Sequence, residues 1–300
     1  MMVELVPDDV VTPLEPAPKL ADAVGFPVFL KREDLYTGFG GGSKGRKTAA
    51  LAASLRIPPE VVISVGSMHS NHLRSCSTWA HEAGAHLDVV VHPTAGSVPD
   101  ARHLRDALGA REVLVREPAK IREGLNSLVT QALARGERPL VVQGGGHHLP
   151  GTAAYREVAL RLERQCADQG VRAGVVVAPS GTGGTQAGLL VGVSQWTSPA
   201  SVVGVSVGRR RENALPPIIE AASWLGHIPD QRSLHFVDDY LGPGYGFIER
   251  TLAAACRWAG DLTGLRIDPV YTGRVFEALY RAHPLLTPHP GQACIVVVTG

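Results

Sequence analysis

Val175-Val176-Val177-Ala178-Pro179-Ser180-Gly181-Thr182-Gly183-Gly184-Thr185 is an apolar, β-branched run that ends in a glycine-rich loop, and the apolar stretch Gln186 to Val193 follows it. An apolar run without polar alternation is the pattern of a strand covered on both faces, as in a parallel sheet. Strand, glycine-rich loop and helix in succession form the repeating unit of an α/β protein. The hydroxyls of Ser180, Thr182 and Thr185, with backbone N–H groups at a helix start, are the donors that an anion needs. The loop is neither a Walker loop, since no Gly-Lys-Ser/Thr follows, nor the dinucleotide fingerprint GxGxxG. Taken alone it reads equally as a phosphate cradle and as a tight turn.

The same alternation extends in both directions. Towards the amino terminus, strands are predicted at Val28 to Leu30, Val61 to Val65, Leu87 to Val91, Val113 to Val115 and Leu140 to Val142. Helices are predicted at Leu20 to Val24, Asn71 to Ala83, Ala101 to Leu108, Ile121 to Ala134 and Gly151 to Ala167, with a further helix after Lys44. Towards the carboxyl terminus come a strand at Val202 to Val207, a helix at Pro217 to Leu225 with proline in its first turn, and a loop from Val237 to Gly246. Helices at Phe247 to Trp258 and Gly273 to Arg281 and a closing strand at Ile295 to Val298 complete the chain. Regular succession of strands and helices implies parallel sheets flanked by helices.

Composition narrows the function. The chain has 300 residues, is 44% hydrophobic and 19% charged, and is large enough for two lobes. Its 29 basic and 28 acidic residues leave a net charge of +1, which draws it neither to nucleic acid nor to an anionic membrane. No apolar run reaches membrane-spanning length, and Met1 to Pro18 lacks the basic-then-apolar order of a secretion signal. Cys76, Cys166, Cys256 and Cys294 form no CxxC pair and suit reduced core thiols in the cytoplasm. Small-molecule chemistry is the class that remains.

Gly40-Gly41-Gly42-Ser43-Lys44-Gly45-Arg46-Lys47 supplies a candidate for that chemistry. Three glycines let the backbone approach a flat ligand, and the helix that follows fixes an amine able to form a Schiff base with a carbonyl. The plainer reading is a solvated lysine beside a flexible turn. Gly66-Ser67-Met68-His69-Ser70-Asn71-His72 sits between a strand and a helix, where α/β proteins build ligand crevices. With Lys31-Arg32-Glu33-Asp34, Gly145-Gly146, Gly242-Pro243-Gly244-Tyr245-Gly246 and Asp268-Pro269-Val270-Tyr271-Thr272-Gly273, these stretches complete a pattern. In their order and spacing the chain resembles, over nearly its whole length, the fold-type II pyridoxal phosphate enzymes. Within them it is most similar to the aminocyclopropane-carboxylate deaminase and D-cysteine desulfhydrase family.

The resemblance implies a two-domain α/β fold like that of the tryptophan synthase β chain, with 1–46 and 149–300 as the large cofactor-binding domain and 47–148 as the small one. It implies pyridoxal 5'-phosphate held on Lys44, with Asn71 on the cofactor's phenolic oxygen and Thr272 facing the pyridine nitrogen. Ser180, Gly181, Thr182, Gly183, Gly184 and Thr185 would hold the phosphate. Ser70 would bind the substrate carboxylate, while Tyr245 and Tyr271 would serve as acid, base or proton relay; without the family pattern both tyrosines read equally as packing residues. The implied activity is that of a cytoplasmic, homodimeric lyase that removes the α-proton of a small amino acid and eliminates a β-substituent, releasing a keto acid and ammonia. A neutral Thr272, where ring-opening deaminases are expected to place a carboxylate, favours elimination over ring opening.

Ring opening, β-replacement and a cofactor-binding protein without turnover are the competing readings. Ser43 replaces the family's usual asparagine and His147-His148 its usual Ser-Asn pair, and the chain stops at Thr299-Gly300, short of where relatives continue. These departures bear on the substrate and on one wall of the cofactor pocket. His69, His72, His147 and His148 lack a carboxylate at a familiar ligand spacing, so no metal site is expected. Arg209-Arg210-Arg211 reads as a solvated loop.

Overall fold

The computed structural model describes residues 10–68, 70–94, 99–231, 234–242 and 244–300. His69 and Pro243, which belong to two of the family motifs, and the segment Met1 to Asp9 lie outside the described residues. The strands in chain order are β1 (Leu14–Pro16), β2 (Val28–Arg32), β3 (Val61–Ser67), β4 (His86–His92), β5 (Glu112–Val115), β6 (Pro139–Val142), β7 (Ala173–Ser180), β8 (Ser201–Ser206), β9 (His235–Val237) and β10 (Ala293–Val298). The helices are α1 (Pro18–Val24), α2 (Gly42–Ser54), α3 (Asn71–Glu82), α4 (Ala101–Leu108), α5 (Ile121–Ala134), α6 (Leu149–Asp168), α7 (Gly184–Val193), α8 (Arg211–Ser223), α9 (Arg250–Thr263) and α10 (Thr272–Tyr280).

The chain divides into two compact units. One holds Thr37–Gly151; the other holds Thr152–Gly300 together with the described residues up to Tyr36. The first contains a four-stranded parallel sheet in the order β5-β4-β3-β6. The second contains a six-stranded sheet in the order β1-β2-β10-β7-β8-β9, parallel except where β1 runs antiparallel to β2. No helix among the described residues is long and apolar enough to cross a membrane.

Period-two geometry explains why the strands read as unbroken apolar runs. In the second unit Val175, Val177, Val203, Val205, Cys294 and Val296 face one core, while Val176, Ala178, Val202, Ile295 and Val297 face another. In the first, Val62, Leu87, Val89 and Val113 alternate in the same way with Val61, Ile63 and Val90. Helix α7 is buried nearly all round, so it carries no polar stripe. Its Gly188 and Gly192 let the backbone of α6 approach: a Cβ on Gly188 would stand 2.3 Å from the Thr152 carbonyl oxygen, and one on Gly192 would stand 2.4 Å from the Ala159 Cβ.

Contacts that the local sequence does not show add one strand to the expected elements and correct the bounds of others. Leu14–Pro16 is an edge strand, a place where proline's missing N–H is tolerated. The stretch expected to be a loop from Val237 onwards begins as the end of a strand, because His235–Val237 adds to the edge of the sheet beside β8. Helix α8 starts at Arg211, six residues before the expected start, so Pro216 and Pro217 lie inside it. Its start is fixed from outside the helix. The Arg211 amide donates to Asp238 Oδ2 at 2.9 Å, and the Arg211 guanidinium donates to the Leu234 carbonyl at 2.8 Å. Arg211 is therefore a packing residue rather than part of a solvated run. The helix expected from Phe247 starts only at Arg250, since the Phe247 amide closes a turn on Gly244.

The close approach of α6 and α7 gives a direct test. Gly188→Ala is expected to cost about 1–3 kcal/mol through overpacking, read as a lowered Tm, whereas Gly84→Ala, with nothing near its Cβ, is limited to the strain of its positive φ.

Candidate functional site

The first unit gathers the nitrogen bases. Gly40, Gly41 and Gly42 have φ of 80°, 83° and 62°, conformations that L side chains rarely adopt, and they turn the chain into α2. Gly45 is pressed on Gly38, where a Cβ would lie 2.0 Å from the carbonyl oxygen. Lys44 thereby stands in the first turn of α2, half-buried, with Nζ donating to the Gly145 carbonyl at 3.2 Å. Withdrawal from water lowers its pKa from 10.5 to about 8. The positive end of the helix disfavours an ammonium there as well. Lys47, one turn further on and 1% exposed, is pushed well below the usual lysine range by burial and by the charge of Lys44. The sequence reading of Lys44 as a solvated lysine does not hold.

Helix α3 presents the next two candidates. Ser70 is its N-cap, accepting from the Leu73 amide at 3.3 Å. Gly66 makes room for it, since a Cβ there would come within 2.7 Å of Ser70 Oγ. Asn71 opens the helix, with Oδ1 accepting from Arg74.

Two histidines beside them went unassigned in the sequence. Ser64 Oγ donates to the Val142 carbonyl at 2.8 Å, so it accepts from His72 Nε2 at 2.9 Å and fixes the Nε2–H tautomer. The Gly151 amide donates to His148 Nδ1 at 3.0 Å, which fixes the same tautomer there. Burial, with the charges of Lys44, His148 and Lys47, holds His72 at about 3; burial, Lys47 and His147 hold His148 at about 3. Both imidazoles are neutral. Their sequence signals were proximity to the Asn71 and Gly145-Gly146 motifs and, for His148, a departure from the family's usual pair.

The second unit gathers neutral donors. Ser180 ends β7, and the chain turns at Gly183, with φ of 92°, into α7. A Cβ on Gly183 would come within 2.6 Å of Ile218 Cγ1, so the turn lies hard against α8. Ser180 Oγ is buried with no hydrogen-bond partner among the described residues, although buried hydroxyls are almost always bonded. An anion at this loop would satisfy it, together with the amides that open α7 and the hydroxyls of Thr182 and Thr185. Gly181 and Gly184 complete the turn.

Tyr245 and Tyr271 meet hydroxyl to hydroxyl at 2.6 Å, their rings edge-on with centroids 6.2 Å apart. Asp268 sets Tyr271 by accepting from the Val270 and Tyr271 amides at 3.1 and 2.8 Å. Thr272, 2% exposed, accepts from the Thr299 amide at 3.2 Å and pairs with the Thr299 hydroxyl at 3.3 Å. Thr299 was not assigned a role from sequence, because only the sheet brings the end of β10 to the start of α10.

Known proteins match this chain in sequence and in fold. The family described as pyridoxal-phosphate dependent enzyme has a model that matches residues 7–300. A D-cysteine desulfhydrase of Klebsiella pneumoniae (strain 342) is 33% identical over 89% of this chain and 84% of its own length. One from Yersinia enterocolitica (serotype O:8, biotype 1B) is also 33% identical, over 89% of this chain and 84% of its own. A solved structure described as an ACC deaminase homologue is 29% identical, superposes with a TM-score of 0.79, and covers 99% of this chain and 91% of that one. A fungal L-serine ammonia-lyase from Rhizomucor miehei, at 18% identity and a TM-score of 0.69 over 97% of this chain and 93% of its own, shares the fold.

Two titrations test the electrostatics. Acylation of Lys44 by a small amine-reactive reagent, followed by mass spectrometry of its peptide, should be half-maximal near pH 8 and should move to the ordinary 10.5 in denaturant. For His72 and His148 the folded pKa lies below the unfolded 6.5, so the unfolded chain binds more protons between about pH 6.5 and 3. Stability is therefore expected to fall as pH drops through that window, with about two protons taken up on unfolding from this pair. In His72→Gln the uptake should drop by about one, read from denaturation midpoints across pH.

Proposed function

Since the chain belongs to the family of pyridoxal-phosphate dependent enzymes, we propose that it is a lyase that removes the α-proton of a small amino acid and eliminates a β-substituent. In this reading, which the similarity to D-cysteine desulfhydrases supports, the β-substituent leaves with a proton and water hydrolyses the remaining unsaturated amine to a keto acid and ammonia. The observation that carries this reading is Lys44, a lysine amine in the first turn of α2 whose pKa of about 8 leaves a substantial uncharged fraction near neutral pH. An uncharged amine is what both attachment of an aldehyde and removal of a proton require.

The partnerless Ser180 hydroxyl and the open amides of α7 fit the phosphate, and the Lys44 amine fits the aldehyde of pyridoxal 5'-phosphate. Asn71, whose Oδ1 accepts from Arg74, would offer its amide nitrogen to the cofactor's phenolic oxygen, and the Thr272 hydroxyl would face its ring nitrogen, as the family resemblance implies. When bound, the cofactor supplies the sink for the electron pair left on the α-carbon. With the substrate amine in place, the freed Lys44 amine would take the α-proton as base. Ser70 and the neighbouring amides at the start of α3 bind the substrate carboxylate. Tyr245 and Tyr271 pass a proton along their shared hydrogen bond to the leaving group, which as a thiolate needs little help.

Thr272 supports elimination over ring opening. Its hydroxyl is tied to Thr299 and carries no charge, so it does not hold a proton on the ring nitrogen as a carboxylate would. The four free cysteines suit a reducing compartment, which supports a cytoplasmic location, and a homodimer is the assembly that the family resemblance suggests.

The test is keto acid release by cofactor-loaded protein from a panel of D- and L-amino acids that includes D-cysteine and aminocyclopropane-carboxylate. Release is expected from a β-substituted amino acid, falling by about 10²–10⁴-fold or more in Lys44→Ala. Borohydride should link the cofactor irreversibly to the Lys44 peptide. Linkage without release from any amino acid would turn the reading to a cofactor-binding protein without turnover, and absence of linkage would overturn the role of Lys44.

A further inference from the structure

Arg274 is the third residue of α10, 2% exposed, and the reaction proposed above has no place for its charge. A buried guanidinium persists only where its N–H groups and its charge are answered. Here Nη1 donates to the carbonyl of Tyr240 at 2.5 Å and Nη2 to the carbonyl of Phe247 at 2.7 Å. These two carbonyls lie on either side of Tyr245 in the chain. The charge is met by Glu277, 0% exposed, at 3.1 Å. Glu277 is itself braced by Arg281, whose guanidinium carbon lies 4.9 Å from the centre of the Tyr240 ring.

The other tyrosine is registered on the same residue. The Arg274 amide donates to the Tyr271 carbonyl at 3.0 Å, within the first turn of α10. Gly273, between them, is forced to be glycine, since a Cβ would come within 2.7 Å of Cys256 Sγ and 2.8 Å of the Asp268 carbonyl oxygen. Both ends of the 2.6 Å contact between Tyr245 and Tyr271 are therefore referred to one residue. A planar fork holds two carbonyls at a set separation, which the single head of a lysine does not do.

We infer that Arg274 is a positioning residue that sets the Tyr245–Tyr271 hydroxyl pair by clamping the chain on both sides of Tyr245. The inference rests on the proposed role of those tyrosines. An oxygen–oxygen contact at the short end of the normal range is lost by a shift of about 1 Å, so the clamp acts on turnover through geometry.

The test is a double-mutant cycle on the cofactor-loaded enzyme with the amino acid that gives the fastest keto acid release. Arg274→Lys is expected to lower kcat about tenfold or more with KM changed less than about twofold, and to change kcat less than about twofold in a Tyr245→Phe background. Thermal destabilisation by Arg274→Lys should be the same in both backgrounds. Hydrogen exchange at the amides of Tyr245 to Phe247 should quicken in Arg274→Lys, with and without cofactor, and stay unchanged in Tyr245→Phe. Arg281→Gln, at the surface end of the brace, should give a weaker loss of kcat with the same dependence on Tyr245, and it serves where Arg274→Lys does not fold.

Losses that multiply independently in the two backgrounds, a change confined to KM, or unchanged exchange around Tyr245 would make Arg274 a structural residue and overturn the inference. A Tyr245→Phe enzyme with unchanged kcat would instead overturn the role of the tyrosines on which the inference stands.

Discussion

Withdrawing an amine from water lowers its hold on a proton, and the turn and helix around Lys44 in the first unit do this. Lys44 reaches its place because three glycines turn the chain through positive φ and Gly45 lets α2 settle on Gly38. Burying one base beside others works only if most of them give up their protons, since like charges in a poor dielectric repel strongly. Lys47, His72 and His148 are all shifted towards neutrality, each partly by the charge of another. The basic cluster is thus cooperative: each neutral member lowers the cost of burying the next.

The second unit solves the opposite problem. Its candidate groups are hydroxyls and amides, neutral donors that can be buried at modest cost provided each finds a partner. Thr272 finds Thr299, Tyr245 finds Tyr271, and Ser180 Oγ stands without a partner among the described residues. Charge is kept out of that set and placed in the Arg274–Glu277–Arg281 network, where each guanidinium also meets a carbonyl or an aromatic ring.

What the sequence made legible was whatever is local. Val175 to Ala178, Val61 to Val65 and Ile295 to Val298 read as strands because both faces are buried, and the glycines around Lys44 and Ser180 mark turns that need them. What it hid was whatever depends on a partner far along the chain. Thr299 is a threonine near a terminus until β10 brings it to Thr272; Arg211 is one of three arginines until the carbonyls of Leu234 and Phe236 capture it. His235–Val237 carries too few residues to show alternation, and pairing with β8 alone makes it a strand. Arg274 reads as an ordinary charge in a helix, because nothing near it in sequence shows that its acceptors lie 27 and 34 residues away.

The departures from the family pattern can be weighed by the same chemistry. Where the family resemblance leads one to expect an amide, His148 offers an imidazole whose Nδ1 accepts from the Gly151 amide and whose proton is therefore on Nε2. Low proton affinity keeps it from becoming a cation at neutral pH. A neutral ring fixed in one tautomer is a donor at one atom and an acceptor at the other, which is the polarity of an amide side chain on a wider and stiffer frame. Gly151 sits so close that a Cβ would come within 2.8 Å of the ring, so the frame has little room to turn. A histidine in place of the amide expected from the resemblance thus keeps hydrogen-bond character while changing shape.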